Sequence, residues 1–322
     1  MSWILVITAI IVAAAPVAAA QTDEWPRLAK RAAALEQDGR YADAADCWRQ
    51  ASRLATRKGE LWTAMDGLAI DEARLGRALE AEREYRDVLS LIETAKGKDN
   101  ADYAMVLANL ATLHLEVSRV AAGAAELHDA LAIAEKTMAA DDVELAVMRS
   151  GLAATLICGK KYDEAADLLA GALAVFETHA DVPREQVAIA ISNLAAARQL
   201  QGRLADAVPL FERARATLEA EFGPEHPALI RVITNLAVAY AKTGRPVDAD
   251  RQFRRACAIA EQSLPPDHPL AGSVYQIYGD FLRRQGRKRE AKEMAARSKN
   301  TLRESARRSG VGMIVDVSDF RR

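Results

Sequence analysis

The sequence predicts an all-α fold, an α-solenoid of about seven antiparallel helix pairs, and three observations carry this prediction. Small and large apolar residues recur at helical spacing through most of the chain. No stretch of the repeats alternates with a period of two for long enough to form a strand. A short turn, often Gly followed by a basic residue, recurs at intervals of 37 and then five times 42 residues, near positions 39, 76, 118, 160, 202, 244 and 286.

Residues 1–20 precede the repeats and are expected to be a signal peptide. They carry no charge, Ile4–Ala15 is almost wholly apolar, and Pro16 and Ala18–Ala20 follow. This pattern is typical of a signal sequence with a small-residue cleavage site after Ala20, which predicts an exported protein, periplasmic or secreted. The alternative is an uncleaved membrane anchor, because no basic residue precedes the apolar run and Trp3–Ala20 approaches the length of a bilayer span.

Residues 21–300 are expected to form the solenoid, and each repeat reads as two helices around its turn. A small side chain stands five residues after the turn, a large one nine residues after it and a small one twelve residues after it, as in Ala249, Phe253 and Ala256. Small residues allow close approach of neighbouring helices, and the large residue fills the space between them. Between repeats, Gly223–Pro227 and Pro265–Pro269 end one helix and start the next, because Gly suits a helix end and Pro a first turn.

Two segments resemble the signature of the tetratricopeptide repeat (TPR) family, namely Leu236–Tyr240 on a first helix and Ala249–Phe253 on a second. The period of 42 residues, together with Asn235–Ala237 and Pro209–Phe211, resembles the kinesin-light-chain type of repeat. The resemblance covers about residues 25–300. It implies a right-handed superhelix whose concave groove, lined by the first helices, binds a peptide or a partner protein.

Catalysis and nucleic-acid binding are not expected from this sequence. The chain has 43 basic and 45 acidic residues, a net charge of −2, and none of the common nucleotide-binding, hydrolase or metalloprotease motifs. No cofactor and no metal site are predicted, and His226 and His268 are expected to cap or pack their own helix starts. The predicted function is a non-enzymatic scaffold that binds a peptide or protein, with a membrane-tethered assembly or secretion factor as the alternative.

The candidate binding residues lie on the predicted first helices. Asn109, Asn193 and Asn235 occupy one equivalent position, and an Asn amide can both donate to and accept from the backbone of an extended ligand. The alternative is that these residues only solvate the groove. The neighbouring groove candidates are Thr112, Ser150, Ser192, Gln199, Arg231, Thr234, Gln276, Asp280 and Arg283.

Charge is concentrated near the C-terminus, where residues 283–308 hold 11 basic and 3 acidic side chains. This run predicts either a solvated helix that caps the solenoid or a contact with an acidic partner; a membrane contact is expected only if the N-terminal segment is retained. Residues 301–322 are expected to form a basic tail, partly β-like around Met313–Phe320.

Overall fold

The computed structural model describes residues 24–117 and 119–308, which form fourteen α-helices and no strand. The predicted all-α fold of seven helix pairs is therefore confirmed for that part of the chain. The expected signal peptide at 1–20, Ser118 of the third turn and the β-like tail segment lie outside the described residues. The helices are α1 Glu24–Gln37, α2 Tyr41–Leu54, α3 Lys58–Arg74, α4 Ala78–Lys96, α5 Ala101–Glu116, α6 Val120–Thr137, α7 Val143–Cys158, α8 Tyr162–Thr178, α9 Arg184–Leu200, α10 Leu204–Phe222, α11 Leu229–Lys242, α12 Pro246–Ser263, α13 Pro269–Arg284 and α14 Lys288–Arg308.

The last helix is longer than the sequence indicated. Helix α14 continues to Arg308 and so takes in the first eight residues of the segment expected to form a tail from position 301. Ser298 and Thr301 are buried near its middle, so packing against α13 supports this extension. None of the helices in the described ranges is both long and apolar enough to cross a bilayer.

The turns inside the helix pairs owe their geometry to a left-handed backbone residue. Gly202, Gly244 and Gly286 have φ values of 81°, 74° and 75°, which glycine adopts without a steric penalty. The equivalent turn between α7 and α8 places Lys160 at φ 63°, the one positive-φ residue other than glycine among the described residues. The repeat therefore imposes the turn geometry even where the sequence lacks the residue that suits it.

The core follows the small–large–small pattern of the second helices. Ala249, Phe253 and Ala256 are buried, and Phe253 stacks on Tyr278 with ring centroids 5.2 Å apart. Between the first and second pairs, a Cβ atom at Gly67 on α3 would lie 2.5 Å from Trp48 Cε2 on α2, so the indole packs where any larger residue would clash. Close helix approach in these pairs depends on small residues facing large ones.

The described chain divides into two compact units. The N-terminal unit contains residues 24–159 and the short segment 174–178, and therefore the whole of α1–α7. The C-terminal unit contains residues 160–173 and 179–308, and therefore the whole of α9–α14.

Candidate peptide-binding surface

In each unit the first helices of successive pairs form an inner layer. Helix α3 contacts α5 and α5 contacts α7, while in the C-terminal unit α9 contacts α11 and α11 contacts α13. The second helices of the C-terminal unit are bridged instead by long side chains, such as Arg255 to Glu219 at 2.5 Å and Arg297 to Glu261 at 2.5 Å. Because the first helices approach each other more closely, their free faces lie on the inside of each unit's curvature.

Most of the candidate binding residues are buried in this inner layer. Asn193 and Asn235 are 4% and 7% exposed, so their amides offer little surface to a ligand in this structure. The buried candidates are Asn109, Thr112, Ser150, Ser192, Asn193, Gln199, Thr234 and Asn235. The periodicity located them on the correct helices, but they pack between helices rather than projecting into open solvent.

Several of these buried groups already have partners in the structure. Asn109 donates from Nδ2 to the carboxylate of Asp66 on α3, at 3.3 Å. The hydroxyl groups of Thr112 and Thr234 donate to backbone carbonyls one turn earlier in their own helices, at 2.9 and 2.6 Å. These contacts serve helix packing, which reduces the capacity of the three side chains to bind a peptide.

The remaining candidates are accessible and lie on α11 and α13 of the C-terminal unit. Arg231 is half-buried, whereas Gln276, Asp280 and Arg283 are exposed. Asp280 and Arg283 form an ion pair with each other across one helical turn. The accessible part of the predicted groove is therefore confined to the C-terminal pairs of this unit.

Two further cations on these helices were missed by the sequence reasoning. Lys242 and Arg284 are exposed and stand 42 residues apart, at equivalent positions near the ends of α11 and α13. Burial lowers the pKa of Lys242, and the positive charge of Arg284 lowers it further. Burial also lowers the pKa of Arg231, which lies three turns earlier on α11. The three form what we call the inner basic cluster, Arg231, Lys242 and Arg284.

Apolar side chains lie beside this cluster. Val238 on α11 and Ile277 on α13 are half-exposed, as is Ile189 on α9. Val238 falls between Arg231 and Lys242 on the same helix face, because seven and eleven residues are close to whole numbers of turns. The inner surface of the C-terminal unit thus combines positive charge with small apolar patches.

Acid–arginine–tyrosine contacts hold the first helices of this unit against the preceding second helices. Asp250 on α12 accepts hydrogen bonds from Tyr278 at 2.8 Å, from Arg287 at 2.6 Å and from Arg254 at 2.8 Å. On the preceding interface, the Tyr240 hydroxyl donates to Glu212 at 2.6 Å. These bonds fix α11 and α13, and with them the side chains of the inner basic cluster.

His268 caps its helix, whereas His226 packs on Phe222 just before α11, so the two histidines fulfil the prediction that each caps or packs at its helix start. The His268 Nδ1 atom accepts a hydrogen bond from the Leu270 backbone amide at 3.1 Å, at the start of α13. The His226 Nδ1 atom accepts one from the Ala228 amide at 3.3 Å. Each ring therefore already uses one nitrogen in local structure.

The helix pairs, their turns and their inner layer define a solenoid of the TPR class. Residues 186–262, from α9 to α12, match the family model of the tetratricopeptide repeat. The resemblance expected from the sequence is thus confirmed by a family match in the region where the motifs are clearest. A search of curated proteins found no match.

Solved structures extend the likeness of fold to most of the chain. TPR-like repeats attributed to a kinesin light chain of Podospora anserina are 22% identical, with a TM-score of 0.51, over 64% of this chain and 98% of that one. The protein BtubC of P. vanneervenii is 20% identical, with a TM-score of 0.52, over 74% and 91% of the two chains. A Rap protein in complex with competence and sporulation factor is 15% identical, with a TM-score of 0.57, over 89% and 79%. These similarities concern the fold.

Proposed function

We propose that this protein is an exported, non-enzymatic scaffold that binds an extended peptide segment of a partner on the inner surface of its C-terminal unit. The TPR match and the solenoid fold support a protein-binding role, since TPR-like solenoids are typical interaction scaffolds. The Rap protein of similar fold was solved with competence and sporulation factor bound, which fits such a role.

The observation that carries the choice of surface is the inner basic cluster. Lys242 and Arg284 stand at equivalent positions on adjacent first helices, and burial, followed by the positive charge of Arg284, lowers the pKa of Lys242. An anionic ligand is attracted to both of these positive charges. We therefore propose a ligand that carries carboxylates.

The apolar neighbours refine the proposed ligand. Val238 and Ile277 lie on adjacent first helices, which pack about 8–10 Å apart. An extended peptide rises about 3.3 Å per residue, so side chains two or three residues apart on one ligand reach both helices. A segment in which acidic residues alternate with small apolar residues suits this surface best.

The export part of the proposal rests on the apolar, uncharged run at residues 4–15 and the small residues before Gln21. The alternative is a membrane-tethered assembly or secretion factor that retains this segment. Intact mass of the protein from its native host separates the two. A mature chain that begins at Gln21 supports export, whereas a membrane-bound species that retains Trp3 supports the tethered alternative.

Calorimetry with a synthetic acetylated peptide of alternating Asp and Val tests the binding proposal. The double variant Lys242→Glu/Arg284→Glu should weaken binding at least about tenfold, because charge reversal turns attraction into repulsion. The matched control Lys30→Glu/Lys136→Glu changes the same number of exposed charges in the N-terminal unit and should bind as wild type does. Equal affinity of the two double variants would contradict the proposal.

A further inference from the structure

The last helix carries a surface that has no counterpart elsewhere in the C-terminal unit. Its exposed residues Lys288, Lys292, Ala295, Lys299 and Arg303 follow one another at intervals of 4, 3, 4 and 4 residues. At 100° per residue they fall within an arc of about 80°, and at 1.5 Å per residue they span about 22 Å. We call these five residues the end surface.

The preceding second helix shows what the equivalent positions do inside the stack. Forty-two residues earlier, Asp250, Phe253 and Cys257 lie on α12 at the positions of Lys292, Ala295 and Lys299. Asp250 accepts a hydrogen bond from Tyr278 of α13. Phe253 stacks on Tyr278 and meets Phe281 at a tilt, with ring centroids 5.2 Å apart in both contacts. These positions on α12 thus receive α13, the first helix of the next pair.

On α14 the same positions have a different chemistry. Ala295 replaces the large aromatic residue, and lysine replaces the buried Cys257 and the acceptor Asp250. Within residues 119–308 no helix covers these side chains, and all five are exposed. The end surface therefore lies at the helix positions that receive α13 on α12, but it has positive charge where α12 has an aromatic contact.

The charges of the end surface are also separated from the acids of the same helix. Glu290, Glu293 and Glu304 lie on another side of α14, and Glu290 is bound by Arg287. No ion pair joins Lys288, Lys292, Lys299 or Arg303 to an acid in the described part of the chain. By contrast, Arg287, just before α14, and Arg297 on this helix are paired with Asp250 and Glu261.

We propose that the end surface docks an acidic α-helix of a second protein, packed on α14 as α13 packs on α12. We expect the ligand to be a helix because the equivalent positions of α12 contact the helix α13. We expect it to be acidic because four cations lie along the end surface. The docked helix presents Asp or Glu at intervals of four and seven residues, with one larger apolar residue over Ala295. This surface is separate from the inner basic cluster, so the proposal does not depend on the proposed peptide site.

The test uses the full chain and a synthetic helical peptide with Glu residues at those intervals and one central Leu. Fluorescence anisotropy should show saturable binding that Lys292→Glu/Lys299→Glu weakens at least about tenfold, since both changes place like charges opposite the ligand. The Lys30→Glu/Lys136→Glu variant controls for net charge, and circular dichroism verifies that each variant keeps its helix content. The milder Lys292→Gln/Lys299→Gln variant should give an intermediate loss.

Three results would overturn the proposal. A scrambled peptide of the same composition that binds equally well would show attraction by charge alone. Binding of a short DNA duplex or of anionic phosphatidylglycerol vesicles, without binding of the helical peptide, would assign the surface to another class of ligand. Self-association of the wild-type chain that the Lys292→Glu/Lys299→Glu variant abolishes, seen by sedimentation velocity, would make a second copy the occupant.

Discussion

Three carboxylates in the two units are held in opposite ways, namely Asp66 and Asp71 in the N-terminal unit and Asp250 in the C-terminal unit. In the N-terminal unit Asp66 and Asp71 on α3 are 6% and 0% exposed, and neither is paired with a cation in the structure. Burial raises the pKa of Asp66 to about 7, with the Asn109 hydrogen bond opposing and the Glu36 charge adding to that rise. Burial raises the pKa of Asp71 to about 8, helped by Glu36 and Glu72 and opposed by Arg74.

In the C-terminal unit, Asp250 is instead paired with the cations of Arg254 and Arg287. Burial alone would raise the pKa of Asp250, but hydrogen bonds from Arg254, Tyr278 and Arg287 outweigh it and lower the pKa below the usual value. The same repeat architecture therefore holds acids either without a cation, where burial favours the protonated form, or among donors that favour the ionised form. The choice sets the sign of each acid's contribution to the pH dependence of stability.

The pH responses follow from linkage and have opposite signs. Asp66 and Asp71 bind protons more tightly in the folded unit than in the unfolded chain, so their contribution to stability is complete at low pH and is lost as pH rises through about 7–8. Asp250 binds its proton less tightly when folded, so its contribution exists at neutral pH and is lost in acid.

The largest expected effect is a selective loosening of the N-terminal unit in alkaline solution. Ionising two buried carboxylates should cost this unit on the order of 2–5 kcal/mol between about pH 6 and pH 9. Hydrogen exchange of the full chain, corrected for the intrinsic pH dependence of exchange, should show lost protection in α3 and α5 but not in α11 and α13. An equal loss of protection in both units would contradict the expected difference between them.

A single substitution should recover part of that loss. Asp71→Asn removes the charge but keeps the shape, so it should stabilise the protein by about 1–3 kcal/mol at pH 9 and by almost nothing at pH 4. Thermal unfolding at the two pH values measures the difference. Asp87→Asn, at an exposed position on α4, is the control and should be neutral at both; a similar gain there would implicate net charge instead.

Removing a cation from Asp250, the paired acid of the C-terminal unit, should lower stability, and by less than the alkaline effect on the N-terminal unit. Arg287→Met keeps the aliphatic stem but leaves Asp250 and Glu290 without that cation, so stability at pH 7 should fall by about 1 kcal/mol. Urea unfolding measures the change. Arg283→Met breaks an exposed pair with Asp280 and should cost less; an equal or larger cost for that control would argue against the importance of the Asp250 network.

The smallest expected effect is the gain in stability when the strained backbone at Lys160 is relieved. Lys160 occupies a left-handed turn position, so Lys160→Gly should stabilise by about 0.5–1 kcal/mol at every pH between 5 and 9. Lys161→Gly is the matched control, because Lys161 has a φ of −89° and gains nothing from glycine. Stabilisation that varies with pH would mean that the lost lysine charge, not strain, is responsible.

The helix pairs and turns were predictable because their signals are local and repeated. The 42-residue register located even the turn at Lys160, where the identity of the residue argues against a left-handed backbone. Residues between turns needed only helical spacing to be assigned to a first or a second helix.

The accessible surface was harder to predict because exposure depends on how deeply a helix is packed. Asn193 and Asn235 were located on the correct helices, yet neighbouring helices bury them. The buried Asp66 depends on Asn109, 43 residues away, a contact that spacing alone does not reveal. Lys242 and Arg284 could have been found, since the repeat register places cations at equivalent positions on adjacent first helices.

The central claim is that partner binding belongs to the inner surface of the C-terminal unit. Hydrogen exchange of the full chain with and without a saturating amount of the alternating Asp–Val peptide tests it most directly. Added protection is expected in α11 and α13, with none in α3 or α5, and the Lys242→Glu/Arg284→Glu variant should lose that protection. Protection confined to α3 and α5, or to the outer helices α10 and α12, would contradict it.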